Sequence, residues 1–311
     1  MTKTSITLGY LAQVACTWEA LARKAGNVCP GREYPDLTVN DFLVSAAAIA
    51  PIMTRAAGQP VGVTILQSIE ATRRVVTTNT NLGMVLLIAP LATVPRGESI
   101  VAGVNRVLDS TTVDDARAVY EAIRLANPSG LGKAREQDVN GEPTLPLRAV
   151  MALAKERDLI AAQYDDGFQF VLNHVVPHLV RFVHLRGVVE RAIVETQLNL
   201  LATARDSHIL RKLGSESANE VKRWAINLLE YAGDLDTSVG RAGFLEVDAR
   251  LRDENHARNP GTTADMIAAG LFVALREGLI SLETPFVWES HPFAVGSSGA
   301  EQGTSHTLNP S

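Results

Sequence analysis

Apolar positions return every three or four residues along most of the chain, the spacing of one face of an α-helix. Between Thr7 and Lys24 the stripe is Leu11, Val14, Ala15, Trp18 and Leu21. A second helix is predicted from Asn40, with Phe42, Leu43, Ala46, Ala47 and Ile49 on it. It opens on a capping-box pattern at Thr38-Val-Asn-Asp41 and should kink or break at Pro51. Further helices are predicted over 61–77, 81–91, 96–108, 114–126, 145–164, 165–185 with Pro177 interrupting, 188–204, 221–232 and 263–277, and over part of 234–255. The stretch 81–91 is apolar all round after its first residue, so it should be a central, buried helix. Residues 130–144 have no apolar period and read as a long polar loop, while 206–214 read as a polar stretch with two cations. The predicted fold is all-α: one multi-helix domain over 1–290, followed by a Gly/Ser/Thr-rich covering or flexible tail over 291–311.

Composition supports that reading. The chain has 311 residues, 46% hydrophobic and only 5% aromatic, rich in the small and straight apolar side chains that suit helix–helix packing. Its net charge is −5 and no Lys/Arg run exceeds two, which argues against nucleic acid as the main partner. Cys16 and Cys29 are too few for a disulfide framework and read as reduced thiols. The longest apolar run, 82–94, contains Pro90 and is too short to cross a bilayer, and the first residues do not resemble a signal peptide. A cytoplasmic protein with no membrane partner is expected, and a homo-oligomer stays open.

Three polar, glycine-bearing segments each adjoin an apolar helix. Glu19-Ala-Leu-Ala-Arg-Lys-Ala-Gly-Asn-Val28 leaves the first helix through a glycine turn, where a backbone can approach a ligand closely. Thr77-Thr-Asn-Thr-Asn-Leu-Gly83 and Asn259-Pro-Gly-Thr-Thr-Ala-Asp265 each open a helix, presenting free N–H groups and the positive end of the helix dipole. One anion-binding pocket is therefore expected, with Lys24, Asn27, Asn79, Thr80, Asn81, Gly83, Gly261, Thr262 and Thr263 on its wall. The plainer reading of the last segment is a capping box of Thr262 and Asp265. Carboxylates beside a phosphate site usually recruit Mg²⁺, and Glu19, Glu70, Asp138 and Asp206 are the candidates, the last followed by His208, Arg211 and Lys212. Each is otherwise a solvated charge, although Glu19 lies on an apolar face. His174, His178 and His184 lack an accompanying zinc signature, and no P-loop pattern occurs.

Taken in order, these segments resemble the triphosphoribosyl-dephospho-coenzyme A synthase family. The family's Glu-bearing helix running into Lys-Pro-Gly-Asn/Leu-Val is similar to Glu19 through Lys24-Ala-Gly-Asn-Val28. Its acidic Phe-x-x-Ser-Ala is similar to Asp41-Phe-Leu-Val-Ser-Ala46, and its Asn-Thr-His-Lys-Gly to Asn79-Thr-Asn-Leu-Gly83. Its Asp-Thr-Asn-x-x-x-Arg-Gly-Gly is similar to Asp206-Ser-His-Ile-Leu-Arg-Lys-Leu-Gly214, and its Ser-Pro-Gly-Gly-Ser-Ala-Asp to Asn259-Pro-Gly-Thr-Thr-Ala-Asp265. There are departures: Asn81-Leu82 replace His-Lys, Ala25 replaces Pro, Thr262 replaces the second Gly and His208 replaces Asn. Residues 115–132 and Gln137-Asp138-Val139 resemble a divergent branch found beside tetrahydromethanopterin and methylofuran biosynthesis.

The resemblance implies an all-helical enzyme acting with ATP and Mg²⁺. The family's reaction displaces adenine from the ribose of ATP as a hydroxyl of 3′-dephospho-coenzyme A attacks. It implies charge neutralisation by Lys24 and Arg211, a phosphate-binding helix start at 261–263, and catalytic roles for Glu19, Lys24 and Asp265. The acceptor would be a small molecule or cofactor precursor. Two other readings stay open: a small-molecule kinase or other nucleotide-dependent transferase for a one-carbon carrier, and a helical protein that binds a nucleotide or partner without catalysis.

Overall fold

Thirteen α-helices and no strand make up the described part of a computed structural model, which covers residues 6–288 except 233 and 253–255. The first four are α1 (Leu8–Leu21), α2 (Val39–Met53), α3 (Val61–Arg73) and α4 (Leu82–Thr93). Then come α5 (Ile100–Asp109), α6 (Val113–Ala126), α7 (Leu147–Ala152), α8 (Leu159–Asp166) and α9 (Val176–Arg186). The last four are α10 (Val189–Thr203), α11 (Ser207–Asn227), α12 (Ser238–Leu251) and α13 (Gly261–Arg276). The chain is all-α, and the predicted tail over 291–311 lies outside the described residues.

The starts are set by side-chain caps. Thr38 with Asp41 and Thr112 with Asp115 form reciprocal capping boxes at α2 and α6. Pro51 sits inside α2 without ending it. The predicted helix over 145–164 divides because Asp158 takes an extended backbone and accepts hydrogen bonds from the Ile160 and Ala161 amides, starting α8 afresh. Upstream of Pro177 the chain turns through Gly167 and Phe168, both at positive φ, and then a π-helical turn over Val171–Val175. Proline has no N–H for the helix ladder, so the break falls before it and α9 starts with it in its first turn. The polar stretch 206–214 is helical up to Gly214. Asp206 caps it, and Gly214 at φ 83° is a non-helical kink that divides α11 into two pieces.

Packing follows the stripes. α4 buries nearly every residue from Leu82 to Ala92, and α13 buries nearly all of Thr262 to Leu275. The two pack together at the centre of the main core, with α1, α3, α6 and α9 around them. A second apolar cluster joins α10, α11 and α12 to Ala25 in the turn after α1. Burial of small apolar side chains on both sides drives the arrangement, at roughly 25 cal/mol per Å² of apolar surface. The starts of α4, α11 and α13 meet where these two clusters adjoin.

Candidate active site

The turn after α1 is held from all sides. Gly26 has φ 73°, donates its amide to the Asp248 carboxylate at 2.8 Å, and receives the Tyr34 hydroxyl on its carbonyl. Gln197 spans Ala25, accepting from its amide and donating to its carbonyl. Gln197 also donates to the Asn27 side-chain oxygen at 2.8 Å, while Asn27 donates to Asn259 at 2.6 Å. The turn is thereby tied to the segment that precedes α13, and Asn27 stands on the cavity wall. Lys24, predicted beside it, does not. Its side chain is fully buried, ion-paired to Glu19 at 2.8 Å and donating to the Glu19 and Ala22 carbonyls. An apolar helix face cannot leave Glu19 uncompensated, and the nearest lysine folds back to neutralise it. Burial still raises the Glu19 carboxyl above its ordinary range, with Lys24 opposing the rise. Glu19 itself reaches the cavity wall.

The segment before α4 brings Asn79, Thr80, Asn81 and Gly83 to the same wall. Thr80 shares a hydrogen bond with Ser45 at 2.7 Å, and Asn79 accepts from the Leu82 amide. Asn81 donates to Thr72, leaving its side-chain oxygen buried without a partner. Asn79 thus caps the first amide of α4, and among the described residues no side chain takes the next two, those of Gly83 and Met84, at the cavity edge. Gly83 has a structural reason: a Cβ there would overlap the Asp265 carboxylate.

α11 and α13 start together. One carboxylate, Asp206, accepts from the His208 and Ile209 amides and from both the amide and hydroxyl of Thr263. Asp206 and Thr263 are thus joined to each other and line no part of the cavity, unlike Gly261; Thr262, predicted on the same wall, lines only a neighbouring cavity. The positive end of α13 already faces a carboxylate, which leaves α4 as the open helix start. Because 206–214 is helical, His208, Arg211 and Lys212 share a face and all line the cavity. Arg211 reaches Asp158 at 3.4 Å, yet its buried Nε has no partner. His208 is half-buried. Burial first, then Lys212 and Arg211, push its pKa down to about 3. Its Nε2 is buried and unpartnered.

The resulting cavity is about 500 Å³. Arg73, Arg211 and Lys212 supply its positive charge. Sequence reasoning passed over Arg73, His208 and Lys212 as site residues. The three-and-four spacing of 208, 211 and 212 after an N-cap aspartate was the available signal for the last two. A second cavity of about 420 Å³ shares Asn79, Gly83, His208, Arg211 and Asp265 with the first. Asp265 stands at this junction, and no protein group among the described residues hydrogen-bonds to its carboxylate. Burial raises its pKa well above the ordinary value, the carboxylates of Glu19, Asp206 and Asp158 add to the rise, and Arg211 opposes it. Asp138 lies on the second cavity, held by the Ala134 and Asn140 amides, and Glu70 lines neither. The four predicted metal ligands therefore do not converge. Among the described residues no group of three His, Cys, Asp or Glu is placed to hold a metal ion.

Fold and site define a class: an all-α protein whose helix starts and cations converge on one cleft suited to a polyanionic ligand. The chain belongs to the ATP:dephospho-CoA triphosphoribosyl transferase family, whose pattern matches residues 5–284. It is 26% identical over 164 residues to a protein of Pseudomonas savastanoi pv. phaseolicola assigned as 2-(5''-triphosphoribosyl)-3'-dephosphocoenzyme-A synthase. That match takes in 51% of this chain and 53% of the relative. A Pseudomonas syringae pv. syringae protein so assigned is 26% identical over 172 residues, 54% of this chain and 55% of its own length. The chain thus spans about half the length of the curated relatives it matches. A crystal structure of an Archaeoglobus fulgidus protein, assigned as a triphosphoribosyl-dephospho-coA synthase, superposes with a TM-score of 0.60 at 29% identity. It covers 76% of this chain and the whole of the archaeal one.

Proposed function

We propose that this protein is an ATP-dependent transferase that moves the triphosphoribosyl group of ATP onto a hydroxyl of a small-molecule acceptor and releases adenine. The observation that carries the reading is Asp265, a carboxylate without a donor among the described residues, where a cleft lined by three cations meets a second cavity. Under this reading the triphosphate lies against Arg73, Arg211 and Lys212 and the open start of α4. The ribose then faces Asp265. The acceptor oxygen bonds to the anomeric carbon as the bond from that carbon to the adenine nitrogen breaks. Asp265 takes the hydroxyl proton and returns it to solvent, the departing base takes one proton from solvent, and the products are the triphosphoribosyl glycoside and neutral adenine. Until it takes the proton, the Asp265 carboxylate also stabilises a sugar carbon that is electron-poor in the transition state. The raised pKa of Asp265 makes it a better base than an ordinary aspartate. Asn79 and Asn81 present amides that can bond ribose or base edges.

An Mg²⁺ carried mainly by the phosphates would need only one or two protein carboxylates; of the four predicted ligands only Glu19 is on the cleft wall, with its carboxylate paired to Lys24, while Asp265 stands there without a donor among the described residues. Bound there, it would neutralise phosphate charge. An ATP substrate places the reaction in the cytoplasm.

Product analysis tests the reading. ATP labelled in the base and in the γ-phosphate is incubated with the protein and a panel of hydroxyl-bearing acceptors, including 3′-dephospho-coenzyme A. Free adenine, with the γ-label retained on the product, is expected. ADP would identify a kinase instead, and tight ATP binding with no product from any acceptor would favour a non-catalytic nucleotide-binding protein.

A further inference from the structure

The second cavity has a character unlike the first. Its inner wall comes from four helices and is apolar, with Leu86 of α4, Ile123 of α6, Val150 and Met151 of α7, and Ile160 of α8. Its outer wall is the loop between α6 and α7, the long segment without a helical period. That loop is pinned to α6: the Tyr120 hydroxyl donates to the Gln137 carbonyl, and Arg124 donates to the Val139 carbonyl at 2.6 Å. Lys133 and Arg157 stand exposed at the rim. Neither has a carboxylate within ion-pairing distance among the described residues. Two acids share this wall, Glu136 and Asp138, and Asp138 is already engaged by two loop amides.

We propose that this second cavity is the acceptor chamber, and that it selects an acceptor with an apolar body and an anionic end, its hydroxyl directed past Asp265 at the nucleotide. The inference rests on the transferase reading of the first cavity. Three observations support it. The chamber is about 420 Å³, within the range that holds a drug-sized molecule and too large to remain without purpose as a packing defect. Its apolar wall offers little to a triphosphate, whereas Lys133 and Arg157 would meet an anionic group at the mouth. Asp265 lines both cavities, so an acceptor oxygen in the second lies beside the carboxylate that faces the nucleotide in the first. Gly83 lets the Asp265 carboxylate pack against the start of α4, since a Cβ there would overlap it.

The test uses the full chain and the dye 8-anilinonaphthalene-1-sulfonate, which joins an apolar ring system to an anion. One dye should bind per chain, and its affinity should be the same in the presence of saturating ATP. Reversing the rim with Lys133→Glu and Arg157→Glu together should weaken the dye by about tenfold or more, as for a charge pair facing an anion. ATP affinity by calorimetry should stay within about twofold at physiological salt, where charges beyond a Debye length are screened. Met151→Trp, which fills the chamber, should abolish dye binding. The rim variant keeps the test intact should that core change impair folding. Displacement of the dye by ATP would show that the chamber holds the nucleobase and would overturn the proposal. So would dye binding that is indifferent to the rim, as expected of a site elsewhere on the surface. If product analysis gave ADP while the dye behaved as described, the transfer chemistry would be wrong and the acceptor chamber would stand.

Discussion

Asp265 and Lys24 differ in what surrounds them. The Asp265 carboxylate has no protein donor, so Asp265→Asn removes a charge without breaking a fold contact. Turnover should fall at least 100-fold, the order expected for a lost catalytic base, with the melting temperature nearly unchanged. Equal small losses in both would remove Asp265 from the catalytic machinery. Lys24 is the opposite case, since its ammonium and the Glu19 carboxylate are both nearly inaccessible. Lys24→Met strands a buried carboxylate and should cost about 3 kcal/mol or more in urea unfolding. A second change, Glu19→Gln, should restore most of that stability. His208 provides a pH prediction with a definite sign. Its native pKa lies below that of the unfolded chain, so the unfolded state binds more protons between about pH 6.5 and 3. Stability from this residue is therefore present above pH 6.5 and lost as pH falls toward 3. By NMR its ring should not titrate between pH 5 and 8.

A single carboxylate organises two elements at the α11–α13 start. Asp206 accepts four hydrogen bonds, two from each helix. Asp206→Ala should cost about 2–4 kcal/mol, twice an ordinary cap. Asp158→Ala, which uncaps α8 alone, should cost about 1 kcal/mol in the same denaturation series. A loss at Asp206 no larger than at Asp158 would mean that the two helices are not coupled through it. This element also shows what the sequence could and could not reveal. The stripes of α1, α6 and α13 were legible because each repeats its apolar period over three or more turns, α4 because it is apolar all round, and the capping box of α2 from its spacing. The start of α11 was not, because its apolar residues are few and its cap partner, Thr263, is remote in sequence. Likewise the convergence of Asn79 and Asp265 on one wall could be anticipated from helix starts needing partners, whereas the burial of Lys24 could not. Whether a lysine faces a cleft or turns back on a glutamate depends on which helix covers it, and α10 and α13 come from the other end of the chain.

Across the whole molecule the cleft lies between the main core and the smaller α10–α12 cluster, with the turn after α1 plugged into the latter through Ala25. Hydrogen exchange with and without ATP should therefore show joint protection of 77–84, 206–212 and 259–265. Protection confined to one of the three would mean that they do not form one site. The dispersal of the wall has a consequence for inheritance. Glu19, Gly83, Arg211 and Asp265 belong to four segments spread over most of the chain, and no half of the protein contains them all. A descendant that lost one segment would keep most of its helices, its apolar stripes and much of its likeness to its ancestors, and would have no cleft at all. The length of shared sequence is thus a poor measure of kinship in activity for this fold; possession of all four segments together is the better one.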